Sequence, residues 1–180
     1  MPLSLDELAE EIRRCTRCPL ASSRRLAVPG EGPEDAECML IGESPGSEED
    51  RTGRPFVGRS GRFLDEALGS VGLSRSQFFI TGSVKCHPPH NRAPTSAEIS
   101  ACRPFLQRQI EVVDPKVIVL LGSVAARTIL GAKRLSDVRG RLASWNSRIV
   151  LPTFHPASAM RFPGARKAFM EDLKLLASLL

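Results

Sequence analysis

Short apolar runs that end at a turn and lead into a helical pattern constrain the fold of this chain more than any other feature. The run 38–42 (CMLIG) stops at a glycine, and helical periodicity follows over 60–71. The same order recurs at 117–122 (VIVLLG) and 123–130. Because strands that are apolar throughout are typical of parallel sheets buried on both faces, the alternation favours a sheet covered by helices.

Two further apolar runs, 78–81 and 149–153, and two further helical stretches, 96–113 and 164–179, complete this pattern. We predict an α/β fold with three α/β/α layers around a central, mainly four-stranded parallel sheet. We expect residues 1–180 to form a single domain, since no internal repeat or composition change divides them. In such sheets ligands bind beyond the carboxyl ends of the strands.

Three local features refine the prediction. The stretch 5–14 is an amphipathic helix by its spacing, and 19–33, rich in Pro, Gly and Ser, is predicted to be a loop. The apolar face of the first helix carries Leu5, Leu8 and Ile12. Pro104 interrupts the pattern over 96–113, so that helix is expected to begin with an irregular segment.

The charge balance suits a polyanionic partner. Lys and Arg number 25 against 20 Asp and Glu, which gives a net charge of +5. Basic residues cluster at 51–62, 133–141 and 161–167, although many basic proteins bind no nucleic acid. No apolar run approaches the ~20 residues of a membrane span, and the N-terminus lacks a signal-peptide core. We therefore expect a cytoplasmic monomer without membrane contact.

Five cysteines in a cytosolic chain are unsuited to disulfides, because that compartment keeps thiols reduced. Cys15 and Cys18 form a C-x-x-C pair, and Cys86 and Cys102 lie far along the chain. One C-x-x-C alone is weak evidence, since it also serves as a redox motif. Four thiolates suit either zinc or an iron–sulfur cluster. Cys38 lies inside a predicted strand and is expected to be a buried core residue.

The glycine-rich stretch 42–61 (GESPGSEEDRTGRPFVGRSG) leaves the end of the first predicted strand, where a ligand crevice is expected. Glycines permit tight turns and close backbone approach to a ligand. The stretch matches neither a Walker A loop nor a dinucleotide fingerprint. By chemistry alone it is either a flexible glycine loop with phosphate affinity or part of a catalytic site.

This stretch resembles the first motif of the iron–sulfur uracil-DNA glycosylases of family 4. The matching positions are Gly42, Glu43, Pro45, Gly46, Glu49, Asp50, Gly53, Pro55, Phe56, Val57, Gly58 and Gly61. Two later segments, 84–94 (VKCHPPHNRAP) and 155–158 (HPAS), resemble further motifs of that family in the same order. The resemblance covers the chain and implies a DNA repair enzyme that hydrolyses the N-glycosidic bond of a flipped-out deaminated base.

The resemblance also implies roles for individual residues. The family's cluster ligands correspond to Cys15, Cys18, Cys86 and Cys102, which favours a [4Fe-4S] cluster over zinc. His155 would donate to the base carbonyl, and Glu43 would orient or deprotonate water, or else hold the loop through backbone or Asn91. The implied base pocket, with Phe56 as its stacking platform, consists of Gly42, Ser44, Gly46, Phe56, Gly82 and Asn91.

Contacts with DNA should fall mostly on phosphates, because a repair enzyme scans any sequence. Arg59 and Ser60 precede a predicted helix and could receive a phosphate, and Ser158 is a second candidate. Met160 and Arg161 follow His155 and could enter the duplex beside the flipped base. Each of these side chains could instead be ordinary solvated surface.

One position departs from the family. Where the second strand ends, the family has Thr-Asn, whose amide reads the base edge, but this chain has Thr81-Gly82. Asn91 or Ser83 could replace the amide, the pocket could accept another deaminated base, or excision could be weak. The last case would make the chain an iron–sulfur DNA-binding module rather than a monofunctional glycosylase. We predict a relaxed or altered base preference.

Overall fold

The computed structural model describes residues 4–180, and its backbone alternates between strands and helices. The strands are β1 (Cys38–Gly42), β2 (Phe78–Gly82), β3 (Val117–Leu121), β4 (Ala143–Trp145) and β5 (Arg148–Thr153). The helices are α1 (Leu5–Arg13), α2 (Leu20–Ser23), α3 (Ser47–Thr52), α4 (Arg59–Ser70), α5 (Ser96–Val113), α6 (Ser123–Leu130), α7 (Pro156–Arg161) and α8 (Pro163–Leu179). Short 3-10 turns cover Arg75–Gln77, Pro89–Asn91 and Leu135–Asp137.

The strands form one sheet in the order β2-β1-β3-β5-β4. The first four of these are parallel, which confirms the predicted core of the sheet. β4 adds an antiparallel edge to β5, and the sequence did not predict it because its three residues, of which the middle one is exposed, form no apolar run. The parallel register pairs Gly42 with Gly82 and Leu121 with Thr153, so all four strands end at one edge.

Helices cover both faces of the sheet, as the predicted three layers require. On one face, α4, α7 and α8 pack against alternate strand residues such as Leu40, Ile80 and Val119. On the other face, α5 and α6 pack against the intervening residues such as Met39 and Ile118. The period-2 alternation of strand side chains sends each set to its own layer. Within residues 4–180, no helix has the length and apolar character that a membrane span needs.

Two local predictions were wrong. α5 runs without interruption over Ser96–Val113, although Pro104 lies inside it. Pro104 and Ser100, whose carbonyl loses its helical donor, are both exposed, so water can satisfy that carbonyl at small cost. A capping box between Thr95 and Glu98 also fixes the first turn. The predicted loop 19–33 contains α2, and Glu31 within it pairs with Ile80 at the edge of β2.

A buried carboxylate anchors the C-terminal end of β5. Asp172 of α8 accepts hydrogen bonds from Thr153 Oγ1 at 2.6 Å and from Arg139 Nη1 at 3.0 Å. Burial raises the pKa of Asp172, and its bonds with Thr153 and Arg139 act in the opposite direction. Gly140 has a φ of 73°, and a Cβ there would lie 2.9 Å from Asp172 Oδ1. This contact fixes the strand end two residues before His155.

Candidate active site

A cavity of about 540 Å³ opens at the carboxyl edge of the sheet, where the four parallel strands end. Most of the residues predicted for catalysis and the base pocket line it, together with two of the predicted DNA-binding serines. They are Glu43, Ser44, Gly46, Phe56, Ser60, Gly82, Asn91, His155 and Ser158. Residues separated by more than a hundred positions therefore meet in one place, as a site at a parallel-sheet edge requires.

Phe56 forms an aromatic wall of this cavity. Its ring stacks on the ring of His155, with centroids 5.7 Å apart and planes inclined by 29°. A Cβ on Gly42 would lie 2.6 Å from Phe56 Cζ, so the glycine makes room for the ring without lining the cavity. Gly61 is required for the same reason, because its Cβ would lie 1.9 Å from the Phe56 carbonyl oxygen.

The carboxylate of Glu49 holds the glycine-rich loop (42–61) in place. Glu49 is buried, and its Oε1 accepts from the backbone N–H groups of Val57 and Gly58, each at 2.9 Å. Gly46 leaves space for this side chain, since a Cβ there would lie 2.7 Å from Glu49 Oε2. The Glu49 carboxylate therefore joins the two halves of the glycine-rich loop.

His155 is held as a neutral donor. It caps the N-terminus of α7, and its Nδ1 accepts from the Ala157 N–H at 3.0 Å. Since Nδ1 is an acceptor, the imidazole proton is carried by Nε2. Burial lowers the pKa of His155 to about 4, against the weaker opposing charge of Glu49. An uncharged N–H is thus available at the cavity wall near neutral pH.

Glu43 follows β1 directly and lines the cavity with a half-buried side chain. Burial raises its pKa, and the charge of Arg127 acts in the opposite direction. Among the described residues, no hydrogen bond joins this carboxylate to the backbone or to Asn91. In the described residues the side-chain bonds that hold this loop come from Glu49 rather than from Glu43.

A fully buried lysine, which the sequence did not single out, bonds to Thr81 and Gly82, the two residues that form the cavity floor. Lys85 Nζ donates to Thr81 Oγ1 at 2.5 Å, to the Gly82 carbonyl at 2.8 Å and to Gln109 Oε1 at 2.6 Å. Burial lowers the pKa of Lys85 to about 8. Three acceptors compensate much of the cost of burying this amine, and they fix the floor at Gly82.

Ser83 and Asn91, the two residues considered as replacements for the missing asparagine amide, differ in whether they line the cavity. Ser83 is fully buried, and its hydroxyl donates to the Gly42 carbonyl at 2.8 Å, so it does not face the cavity. Asn91 lines the cavity at its mouth. A Cβ on Gly82 would lie 2.9 Å from the Val84 carbonyl oxygen, so a larger residue there requires a backbone shift.

A second cleft of about 620 Å³ adjoins the cavity and shares Ser60 and Asn91 with it. Arg59, Met160 and Arg161, the remaining predicted DNA-binding residues, line this cleft. Gly58 is the N-cap of α4, so the backbone donors at the start of that helix belong to the same surface.

The four predicted ligand cysteines converge between α1 and α5. One small pocket is lined by Cys15, Cys18, Cys86 and Cys102. All four are free thiols, and the pocket walls are largely apolar. Arg24 Nη1 donates to Cys86 Sγ at 3.2 Å, and burial raises the pKa of Cys102 to about 11. Cys38 lies elsewhere, buried in the core as predicted.

The cysteine pocket and the cavity are connected through one loop. Lys85, which supports the cavity floor, immediately precedes Cys86. His87 follows Cys86 and donates from Nδ1 to the Pro45 carbonyl in the glycine-rich loop at 2.7 Å. A ligand that fixed Cys86 would therefore also fix two neighbours that shape the cavity.

Comparison with known proteins gives consistent matches. The model of the uracil DNA glycosylase superfamily matches residues 29–175. A type-4 uracil-DNA glycosylase of Sulfurisphaera tokodaii is 44% identical, covering 98% of this chain and 84% of that protein. A type-4 uracil-DNA glycosylase of Saccharolobus solfataricus is 43% identical over 95% of this chain and 84% of its own length. One of Thermotoga maritima is 42% identical, with 94% and 91% covered.

Proposed function

This chain belongs to the uracil-DNA glycosylase superfamily, and we propose that it is a monofunctional DNA glycosylase that excises a flipped-out uracil or related deaminated base. The type-4 relatives confirm the resemblance to family 4 that the motifs indicate. The observation that carries the proposal is the single cavity in which Phe56, Glu43 and a neutral His155 face the same space. The expectations of a single-domain monomer working in the cytoplasm stay predictions.

Base excision needs a pocket that holds the face of a base rotated out of the duplex. The ring of Phe56 supplies an aromatic face, and base–aromatic stacking contributes about 1–3 kcal/mol per base. Arg59, Ser60 and Ser158 lie at the entrance and are suited to hold the phosphates on either side, while Met160 and Arg161 are placed to enter the duplex beside the flipped base. We therefore assign the cavity to the base and the adjoining cleft to the DNA strand.

The chemistry follows from the two polar groups of the cavity. The bond between the base nitrogen and C1′ breaks, and its electron pair leaves with the base. Nε2–H of His155 donates to the base carbonyl oxygen on which this negative charge collects. Water held by Glu43 attacks C1′, and the Glu43 carboxylate accepts its proton. The proton then passes through solvent to the base anion, which gives an abasic sugar and a neutral free base.

Product analysis tests this proposal. An oligonucleotide with one deoxyuridine is incubated with the protein, and both the released base and the strand are examined. We expect free uracil and a strand that is cut only after alkali treatment. Binding without release of a base, from this strand or from strands carrying hypoxanthine or xanthine, would instead support the DNA-binding module, which Gly82 keeps as a second candidate, and would contradict the glycosylase.

We further propose that Cys15, Cys18, Cys86 and Cys102 hold a [4Fe-4S] cluster, with zinc as the alternative. Four free thiols lining one apolar pocket, with an N–H donor on Cys86 Sγ, suit such a cluster. Within residues 4–180, no group of three or more His, Cys, Asp or Glu side chains has the geometry of a metal site, so the preference for the cluster over zinc rests on the family resemblance. When bound, the cluster would crosslink α1, the Cys86 loop and α5.

Metal analysis of anaerobically purified protein tests this proposal. We expect about four iron atoms and four sulfides per chain, with visible absorbance, since this is the composition of a [4Fe-4S] cluster. Cys86→Ser should lose both, whereas the matched change Cys38→Ala, in the core, should retain them. One zinc per chain without visible absorbance would contradict the cluster.

A further inference from the structure

We propose that Arg75 is a positioning residue that holds the Phe56 ring in place for stacking on the base. This inference rests on the proposed function. Arg75 lies in the turn before β2, outside every motif that the resemblance rests on. Its Nη1 donates to the Phe56 carbonyl oxygen at 2.7 Å, and its Nη2 donates to the carbonyl of Pro55. One guanidinium therefore holds two consecutive carbonyls of the loop that carries the ring.

Phe56 needs such support because its backbone is in the left-handed region, with a φ of 49°. A bulky residue rarely adopts this conformation, and it persists only where the surroundings hold it. Glu49 holds the loop just after Phe56, through Val57 and Gly58. Arg75 holds it at Pro55 and Phe56, so the two side chains bracket the strained residue.

Arg75 is itself anchored to the sheet. Its Nη2 contacts Glu31 Oε1 at 3.1 Å, and its Nη1 contacts Asp65 Oδ1 at 3.3 Å. Glu31 forms two backbone hydrogen bonds with Ile80 of β2, at 3.0 and 2.8 Å. Gly30 and Gly32, with φ of 119° and 140°, allow this close approach, since a Cβ on either would collide with β2. The position of the Phe56 ring is therefore anchored, through Arg75 and Glu31, to strand β2.

A direct contact between Arg75 and DNA does not explain this arrangement. The Arg75 side chain is only 19% exposed, and it pairs with two carboxylates, Asp65 and the Glu31 that also pairs with Arg54. An arginine that binds phosphate needs an open, unpaired guanidinium. The donors of Arg75 point instead at carbonyls of the protein.

A double-mutant cycle tests the inference by single-turnover excision of uracil. Phe56→Ala should slow excision by about 10–100-fold, the scale of one lost stacking contact. Arg75→Met, which keeps the stem but removes the donors, should slow it by about 10-fold, and Arg75→Lys should restore part of the rate. In the Phe56→Ala background, Arg75→Met should change the rate by less than about twofold, because coupled residues are not additive.

A second readout does not depend on activity. With 4-fluorophenylalanine at position 56, we expect one sharp ¹⁹F line that Arg75→Met shifts or broadens. The matched control is Arg148→Met, because Arg148 is 17% exposed and pairs with Asp114 at the opposite end of the sheet. That control should leave the line and the rate unchanged. If the wild type releases no base, the proposed function fails, while an unchanged line in Arg75→Met overturns the inference about Arg75.

Discussion

The Nδ1 atom of His155 accepts a hydrogen bond from the backbone N–H of Ala157 at 3.0 Å. This bond fixes the tautomer, because the remaining proton must then lie on Nε2, where the imidazole can donate into the cavity. Burial lowers the pKa of His155 to about 4, so the ring stays neutral at physiological pH. A neutral donor can stabilise a departing base anion without first taking up a proton.

We therefore predict that the excision rate does not increase as the pH falls from about 8 to 5. A mechanism that needed the imidazolium would accelerate over that range, because the ring would be charging. The measurement is the single-turnover rate against pH at saturating enzyme. A rise of tenfold or so toward pH 5 would show that the charged ring is the active form.

The Glu43 carboxyl should instead cause the excision rate to fall at acidic pH. Burial raises the pKa of this carboxyl above its ordinary value, and only the deprotonated form can accept a proton from water. The rate should thus fall as the pH drops through this raised pKa. Glu43→Gln should slow excision by about 10²-fold or more and abolish the acid limb. An acid limb that persists unchanged in Glu43→Gln would assign it to another group.

Gly82 should relax base preference, because no side-chain amide reads the base edge from that position. We expect the wild type to release hypoxanthine or xanthine as well as uracil. A Cβ at position 82 would lie 2.9 Å from the Val84 carbonyl oxygen, so the matched control for Gly82→Asn is Gly82→Ala. Both variants displace the same backbone, but only asparagine adds an amide. The ratio of uracil to hypoxanthine excision should be higher for Gly82→Asn than for Gly82→Ala.

Competition between oligonucleotides carrying each base measures this ratio. If the wild type excises uracil alone, and Gly82→Asn does not exceed it in selectivity, the predicted relaxation is wrong. Asn91, which lines the cavity mouth, would then be the residue to test for base reading.

The buried Asp172 carboxylate, which anchors the end of β5 before His155, should contribute to the free energy of unfolding. Asp172 is 4% exposed and accepts from Thr153 and Arg139, so Asp172→Ala would leave the partly buried arginine without its carboxylate. We predict a loss of about 3 kcal/mol in the free energy of unfolding. Asp137→Ala is the control, since its pair with Arg134 is exposed and should contribute less than about 1 kcal/mol. Chemical denaturation measures both, and equal losses would contradict the anchoring role.

The sequence predicted the parallel sheet because each of its four strands is a short apolar run that can be recognised without knowing the fold. The family motifs, which follow strand ends, also predicted that Glu43, Phe56 and His155 belong to one site. The sequence did not reveal Arg75 or Lys85, because their roles depend on contacts with residues 19 and 24 positions away. Pro104 misled the helix prediction, since its exposure, which sets the cost of the lost hydrogen bond, is a property of the fold.

Single-turnover release of uracil by the wild type, His155→Ala and His90→Asn tests the central claim most directly. His90 is exposed and has a left-handed backbone that asparagine tolerates, so it controls for the loss of a histidine. The wild type and His90→Asn should release uracil at the same rate, and His155→Ala should be about 10²–10³-fold slower. Equal rates for His155→Ala and the wild type, or no release by either, would contradict the account.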